Sequence, residues 1–286
     1  LTSVAERRNQ LRHIQPRPGI VKPDPILTVQ GVRRSFGGLV AVDVDHLEIQ
    51  RGVVTALIGP NGAGKTTLFN LLTGFDRVDE GKWIFDGVEF AGATPYGMAR
   101  AGMVRTFQLT KVLSRLTVME NMKLGATDQT GERFVRALVP WRWRDQESEI
   151  EARAVELLDR FNLDHMRTEP AGTLSGGQRK LLEVARSLMT RPRLILLDEP
   201  MAGVNPALTQ SLLNHITALC SDETTVVFVE HDMDVVMDIS DWVVVLAEGS
   251  VIAEGPPSAI GTDERVIEAY LGRLRSRAPE SEETGK

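Results

Sequence analysis

Residues Gly59, Pro60, Asn61, Gly62, Ala63, Gly64, Lys65 and Thr66 carry the spacing G-x-x-x-x-G-K-T, between apolar runs from Val53 to Ile58 and from Thr67 to Leu72. That is a phosphate loop in the context it needs, a strand before it and a helix after it. Backbone amides can wrap a polyphosphate only where no Cβ intervenes, and a helix starting at Lys65 aims its positive end at the same anion. Lys65 then supplies a point charge to the β- and γ-phosphates, and Thr66 a hydroxyl ligand for Mg²⁺. Thr67 completes the anion-binding turn.

A second chemical pair stands downstream. The apolar run Leu194, Ile195, Leu196, Leu197 ends in adjacent carboxylates, Asp198 and Glu199. Strand alternation sends the two acids in different directions. Asp198 can complete a Mg²⁺ shell, and Glu199 can polarise a water for in-line attack on a γ-phosphate, because phosphoryl transfer needs mostly positioning and charge stabilisation.

These residues need a sheet beneath them. From Ile26 to the turn at Arg51 and Gly52, short antiparallel-looking strands lead into the phosphate-loop strand. Between about Leu109 and Thr173 the pattern turns helical, with Ile150, Ala154, Leu157, Leu158 and Phe161 on one face. Buried-strand runs then alternate with helices, as in a parallel sheet: Leu194 to Leu197, then Thr225 to Val229. Trp242 to Leu246 and Val251 to Ala253 flank a turn and read as a hairpin, and Asp263 to Leu271 as a helix. Residues 1–25 carry Arg7, Arg8, Arg12, Arg17 and Lys22 with four prolines, and read as a basic, disordered extension.

The 286 residues are 42% hydrophobic and 25% charged, enough for a sizeable core, and the net charge of −6 argues against a nucleic-acid surface. No apolar run is long enough to span a bilayer, and Glu6 to Gln10 interrupt any signal-like stretch, so a cytosolic chain is expected. The one cysteine, Cys220, is expected as a buried small hydrophobe.

Leu174, Ser175, Gly176, Gly177 and Gln178 precede a helical run from Arg179 to Met189. Joined to the phosphate loop and the carboxylate pair, this resembles the signature of ATP-binding cassette ATPases, and the resemblance covers residues 26–272. It implies an α/β fold: a P-loop NTPase core, RecA-like with a mostly parallel sheet, an antiparallel β subdomain and an inserted α-helical subdomain. The implied division is an extension at 1–25, a first core part at 26–108, the helical subdomain at 109–173, a second core part at 174–272 and a charged tail at 273–286.

The resemblance also implies ATP and Mg²⁺ as cofactors and a head-to-tail pair of cassettes. Ser175, Gly176, Gly177 and Gln178 would then serve the nucleotide held by the partner's phosphate loop. Phe36 resembles the aromatic that stacks on adenine, Gln108 the glutamine that touches Mg²⁺ and the attacking water, and His231 the switch histidine that reads the γ-phosphate. Asn205 departs from the pattern, standing where many cassettes carry aspartate; it keeps a hydrogen-bonding carbonyl but loses the charge.

Blocks around Val104 to Gln108, Leu116 to Asn121, Ala202 to Pro206, Glu230 to Met233 and Ile267 to Gly272 look like the larger of two ATPase subunits in importers of branched-chain and other hydrophobic amino acids. The partners so implied are a related second ATPase subunit (a homodimer in isolation), two membrane permeases and, indirectly, a solute-binding protein, with no nucleic acid. The place implied is the cytoplasmic face of the inner membrane. Importers of urea and short amides and the lipopolysaccharide-export ATPase share parts of these blocks. Soluble cassettes of translation or DNA repair normally carry two cassettes or a long coiled-coil insertion, and this chain shows neither.

Overall fold

The computed structural model describes residues 3–106, 112–126 and 140–276. In chain order the elements are α1 (Val4–Arg12), β1 (Pro25–Phe36), β2 (Leu39–Gln50), β3 (Val54–Ile58), α2 (Lys65–Leu72), β4 (Glu80–Phe85) and β5 (Val88–Phe90). There follow α3 (Pro95–Ala101), β6 (Met103–Arg105), α4 (Val118–Lys123), α5 (Pro140–Arg160), α6 (Gly176–Ser187), β7 (Leu194–Asp198), α7 (Pro206–Leu219) and β8 (Thr225–Val229). The chain closes through α8 (Met233–Ile239), β9 (Trp242–Ala247), β10 (Ser250–Gly255), α9 (Pro257–Ile260) and α10 (Glu264–Ser276). They form two compact units, one from Leu1–Leu71, Asp76–Gly92 and Glu230–Lys286, the other from Leu72–Phe75 and Ala93–Val229.

In the first unit, β2, β1, β4 and β5 lie in that order in an antiparallel sheet. Its longest pairing runs from Pro25 opposite Gln50 to Phe36 opposite Leu39, so the turn at Gly37 and Gly38 presents Phe36 at its edge. The same unit pairs β3 in parallel with β9, Thr55 opposite Trp242 through Ile58 opposite Val245, and β10 antiparallel to β9. All five residues of β3 are buried, as a parallel strand covered on both faces requires.

The second unit pairs β6 with β7 and β7 with β8, both in parallel. All five residues of β7 and of β8 are buried. Of the stripe read from spacing, Ala154, Leu157, Leu158 and Phe161 are fully buried and Ile150 is half-buried; Cys220 is buried too.

The extension before Ile26 departs from the expectation of disorder. Ser3 caps α1 in a reciprocal box with Glu6, and Leu11 and Arg7 are buried. Arg8 meets Asp241 at 2.8 Å, and the other Asp241 oxygen accepts the Val54 amide at the head of the phosphate-loop strand. Lys22 is buried against Glu254 at 2.5 Å, its amide donating to Glu48, while Glu254 also accepts from Trp242 Nε1 at 2.9 Å and from the Ile20 amide at 3.0 Å. Composition alone marks a lysine as solvated. Here its partner lies 232 residues away in sequence, which no local pattern reveals.

Candidate functional site

The phosphate loop joins β3 to α2, which begins at Lys65. Gly59 and Gly64 have φ of +147° and +99°, and a Cβ would drive Gly59 into the Leu246 carbonyl and Gly64 into the Ala41 carbonyl. Only glycine fits there, which leaves the loop backbone bare. The loop is held from its own side: Ala63 donates to the Pro60 carbonyl at 3.1 Å, Gly249 donates to Ala63 at 3.0 Å and Asp43 donates to Gly249 at 2.8 Å. Lys65 Nζ folds back to the carbonyls of Gly59 at 2.6 Å and Pro60 at 3.1 Å. The first-turn amides of a helix have no intrahelical acceptors, and α2 starts at Lys65 directly after the glycine-rich loop, the arrangement that favours an anion.

In the second unit Asp198 ends β7, 4% exposed, and accepts a hydrogen bond from Arg105 of the neighbouring strand β6 at 2.6 Å. Glu199 follows at once with φ of +47°, half-buried, its amide donating to the Val229 carbonyl at 3.0 Å. The left-handed backbone at Glu199 ends the extended run of β7 directly after Asp198.

Ser175 is the N-cap of α6: Gln178 donates its amide to Ser175 Oγ at 3.3 Å, and Gln178 Oε1 accepts the Ser175 amide at 2.9 Å. Ser175 and Gly176 are exposed, whereas Gly177 is buried, and a Cβ on it would meet Leu208 at 2.6 Å. At Gly177 α6 lies against α7, and a larger residue there would have to displace the tip of the Leu208 side chain. Asn205 caps α7, its Oδ1 accepting the Leu208 amide at 2.9 Å. The neutral amide keeps the capping role that an aspartate would also fill.

Residues 42–202 match the family model described as ABC transporter, and residues 250–273 match that of the branched-chain amino acid ATP-binding cassette transporter. A probable branched-chain amino acid transport ATP-binding protein, LivG, of Archaeoglobus fulgidus is 42% identical over 247 residues, 86% of this chain and 95% of that protein. The chain belongs to the ABC transporter family. It is an ATP-binding cassette and an ATPase. The high-affinity branched-chain amino acid transport ATP-binding protein BraF of Pseudomonas aeruginosa is also 42% identical, over 87% of the cassette and 98% of its own length. The crystal structure of a nucleotide-free ATP-binding cassette from an ABC transporter superimposes with a TM-score of 0.75 at 36% identity, covering 86% of this chain and 98% of that one.

The remaining expected residues of the cassette fall in several places. Phe36 is 46% exposed at the end of β1, a poor core position and a usable stacking surface. His231 is 71% exposed on the loop before α8, with its Nδ1 3.7 Å from the buried Glu230 carboxylate. Gln108 lies outside the described residues. Among the described residues no group of three His, Cys, Asp or Glu side chains is placed to hold a metal ion.

Three residues escaped sequence reasoning. Arg105 stands three positions before Gln108, and its role as partner of Asp198 is visible only once β6 and β7 are paired. Arg34, two positions before Phe36, lies over the Phe36 ring. Tyr270 of α10 turns its phenol inward, where burial pushes its pKa up and the Gly59 amide, at the start of the phosphate loop, pulls the other way.

Proposed function

We propose that this cassette hydrolyses ATP to power import of branched-chain or other hydrophobic amino acids. It would work beside a second, related cassette beneath two membrane permeases fed by a solute-binding protein. The observation that carries the reading is the match of residues 250–273 to the branched-chain segment, beyond the general cassette. The relatives named for branched-chain amino acid transport support it over nearly their whole length. No helix among the described residues is long and apolar enough to cross a membrane, which suits a subunit that borrows its membrane path from permeases at the cytoplasmic face.

In this reading the loop from Gly59 to Thr67 grips the phosphates and Lys65 carries their charge. Thr66, Asp198 and Gln108 would hold Mg²⁺, which when bound neutralises phosphate charge. Glu199 orients and deprotonates the attacking water, and His231 and Gln108 sense the γ-phosphate. Ser175 and Gly177, with Gly176 and Gln178, close over the nucleotide of the partner cassette from the N-terminus of α6.

Uptake of labelled leucine, isoleucine and valine in a strain lacking the gene tests the cargo, with urea and short amides as competitors. Loss of amino acid uptake, restored by the intact gene, is expected. Unchanged amino acid uptake with lost transport of urea or an amide would overturn the cargo.

A further inference from the structure

The guanidinium carbon of Arg34 sits 4.6 Å from the centre of the Phe36 ring. That guanidinium is gripped on its far side. Its Nε and Nη2 fork onto the two oxygens of Asp76 at 3.2 and 2.9 Å, and Nη1 donates to Asp79 at 2.7 Å. Asp79 is fixed in turn: its second oxygen accepts the Ser35 amide at 2.7 Å, and its own amide donates to the Arg33 carbonyl at 2.9 Å. The Ser35 amide, then Arg34, hold the Asp79 carboxyl below its usual range, and the bond to Asp79 holds Arg34 firmly protonated.

The plate therefore has little freedom, and two carboxylates already more than offset its single charge, so it is poorly suited to seek a phosphate. What it can do is back an aromatic ring. Phe36 stands at the end of a strand, 46% exposed, where an unsupported ring would have to be ordered whenever a ligand stacks on it. A cation against one face also draws on the ring's negative quadrupole, leaving the other face a better platform for an electron-rich purine.

We propose that Arg34, held by Asp76 and Asp79, is a positioning residue for the nucleobase: it braces one face of Phe36 so that the opposite face stacks on adenine. The inference rests on the reading of Phe36 as the base contact, and goes beyond it by assigning the residues that make the contact rigid.

Calorimetry on the full chain, with ATP and with inorganic tripolyphosphate as ligands, tests it. Arg34→Met should weaken ATP binding about fivefold, as loss of a cation–π support implies, and leave tripolyphosphate binding unchanged. That unchanged binding also shows that the variant folds. Arg34→Lys should fall between, and Asp79→Asn, which loosens the plate without touching the ring, should reproduce part of the loss. In a Phe36→Ala background, itself weaker for ATP, Arg34→Met should add nothing. Equal weakening of both ligands by Arg34→Met, or an undiminished effect without Phe36, would overturn the positioning role and leave the base contact standing. ATP affinity unchanged in Phe36→Ala would remove the base contact and the proposal together.

Discussion

Arg105 Nη2 donates to Asp198 Oδ2 at 2.6 Å, with 4% of one side chain and 5% of the other exposed. The pair joins β6 to the end of β7, where Asp198 precedes Glu199. Two charges so deeply buried are held in place by each other, since removing either strands the other in a medium that solvates it poorly.

Arg105→Leu should therefore cost about 3–5 kcal/mol of stability, the range for breaking a buried pair, measured by urea denaturation. Adding Asp198→Leu should recover a large part of that loss. A single variant as stable as the parent would show that the pair is not what fixes this strand end.

Lys22 and Glu254 make the same kind of pair in the other unit, exposed by only 1% and 0%. Burial is the largest influence on Lys22 and pushes its pKa down, with the Glu254 carboxylate opposing. Lys22→Met should lower stability by about 3–5 kcal/mol, because the buried Glu254 carboxylate loses its partner. A thermal midpoint within a degree or two of the parent would instead mean that residues 3–24 contribute little to the fold.

The phosphate loop was legible because its chemistry is contiguous: a strand, eight residues and a helix suffice to define it. The Asp198 and Glu199 pair was legible for the same reason, at the end of an apolar run. Arg105 and Lys22 were not, since each is explained by a partner brought near by folding, 93 residues away for Arg105 and 232 for Lys22. The helix α1 was not legible in the extension, which its charge and prolines made read as disordered, because composition cannot tell a solvated lysine from one that finds a carboxylate. The turned backbone of Glu199 has no sequence signal either, since glutamate seldom adopts a positive φ.

His215 offers a pH test. It packs on the Phe161 ring at 4.5 Å, and burial, followed by the charge of Arg160, pushes its imidazole below the usual 6.5. The folded state thus disfavours a proton that the unfolded chain accepts, so the contribution is present above the usual histidine range and is lost as pH falls through it. Between pH 7.5 and 5.5 the parent should lose more thermal stability than His215→Phe. Parallel losses in the two proteins would argue that His215 titrates as freely folded as unfolded.

Lys65→Ala should abolish nucleotide binding at micromolar ATP, because the loop loses its only side-chain cation while its amides remain. Glu199→Gln should behave differently, keeping ATP affinity nearly intact and cutting hydrolysis by ~10²-fold or more, the scale of a lost general base. Calorimetry and a phosphate-release assay separate the two, and a Glu199→Gln variant with parental turnover would take Glu199 out of the reaction.

In the proposed function, ATP hydrolysis by this chain drives amino acid entry. The most direct measurement uses proteoliposomes holding this cassette, its related partner and two permeases, with ATP on the cassette side and a leucine-loaded binding protein on the other. ATP hydrolysis and leucine entry should rise together when the loaded binding protein is added, and both should collapse with Glu199→Gln. Leucine entry at the parental rate in the Glu199→Gln vesicles, or hydrolysis indifferent to the loaded binding protein, would contradict the account.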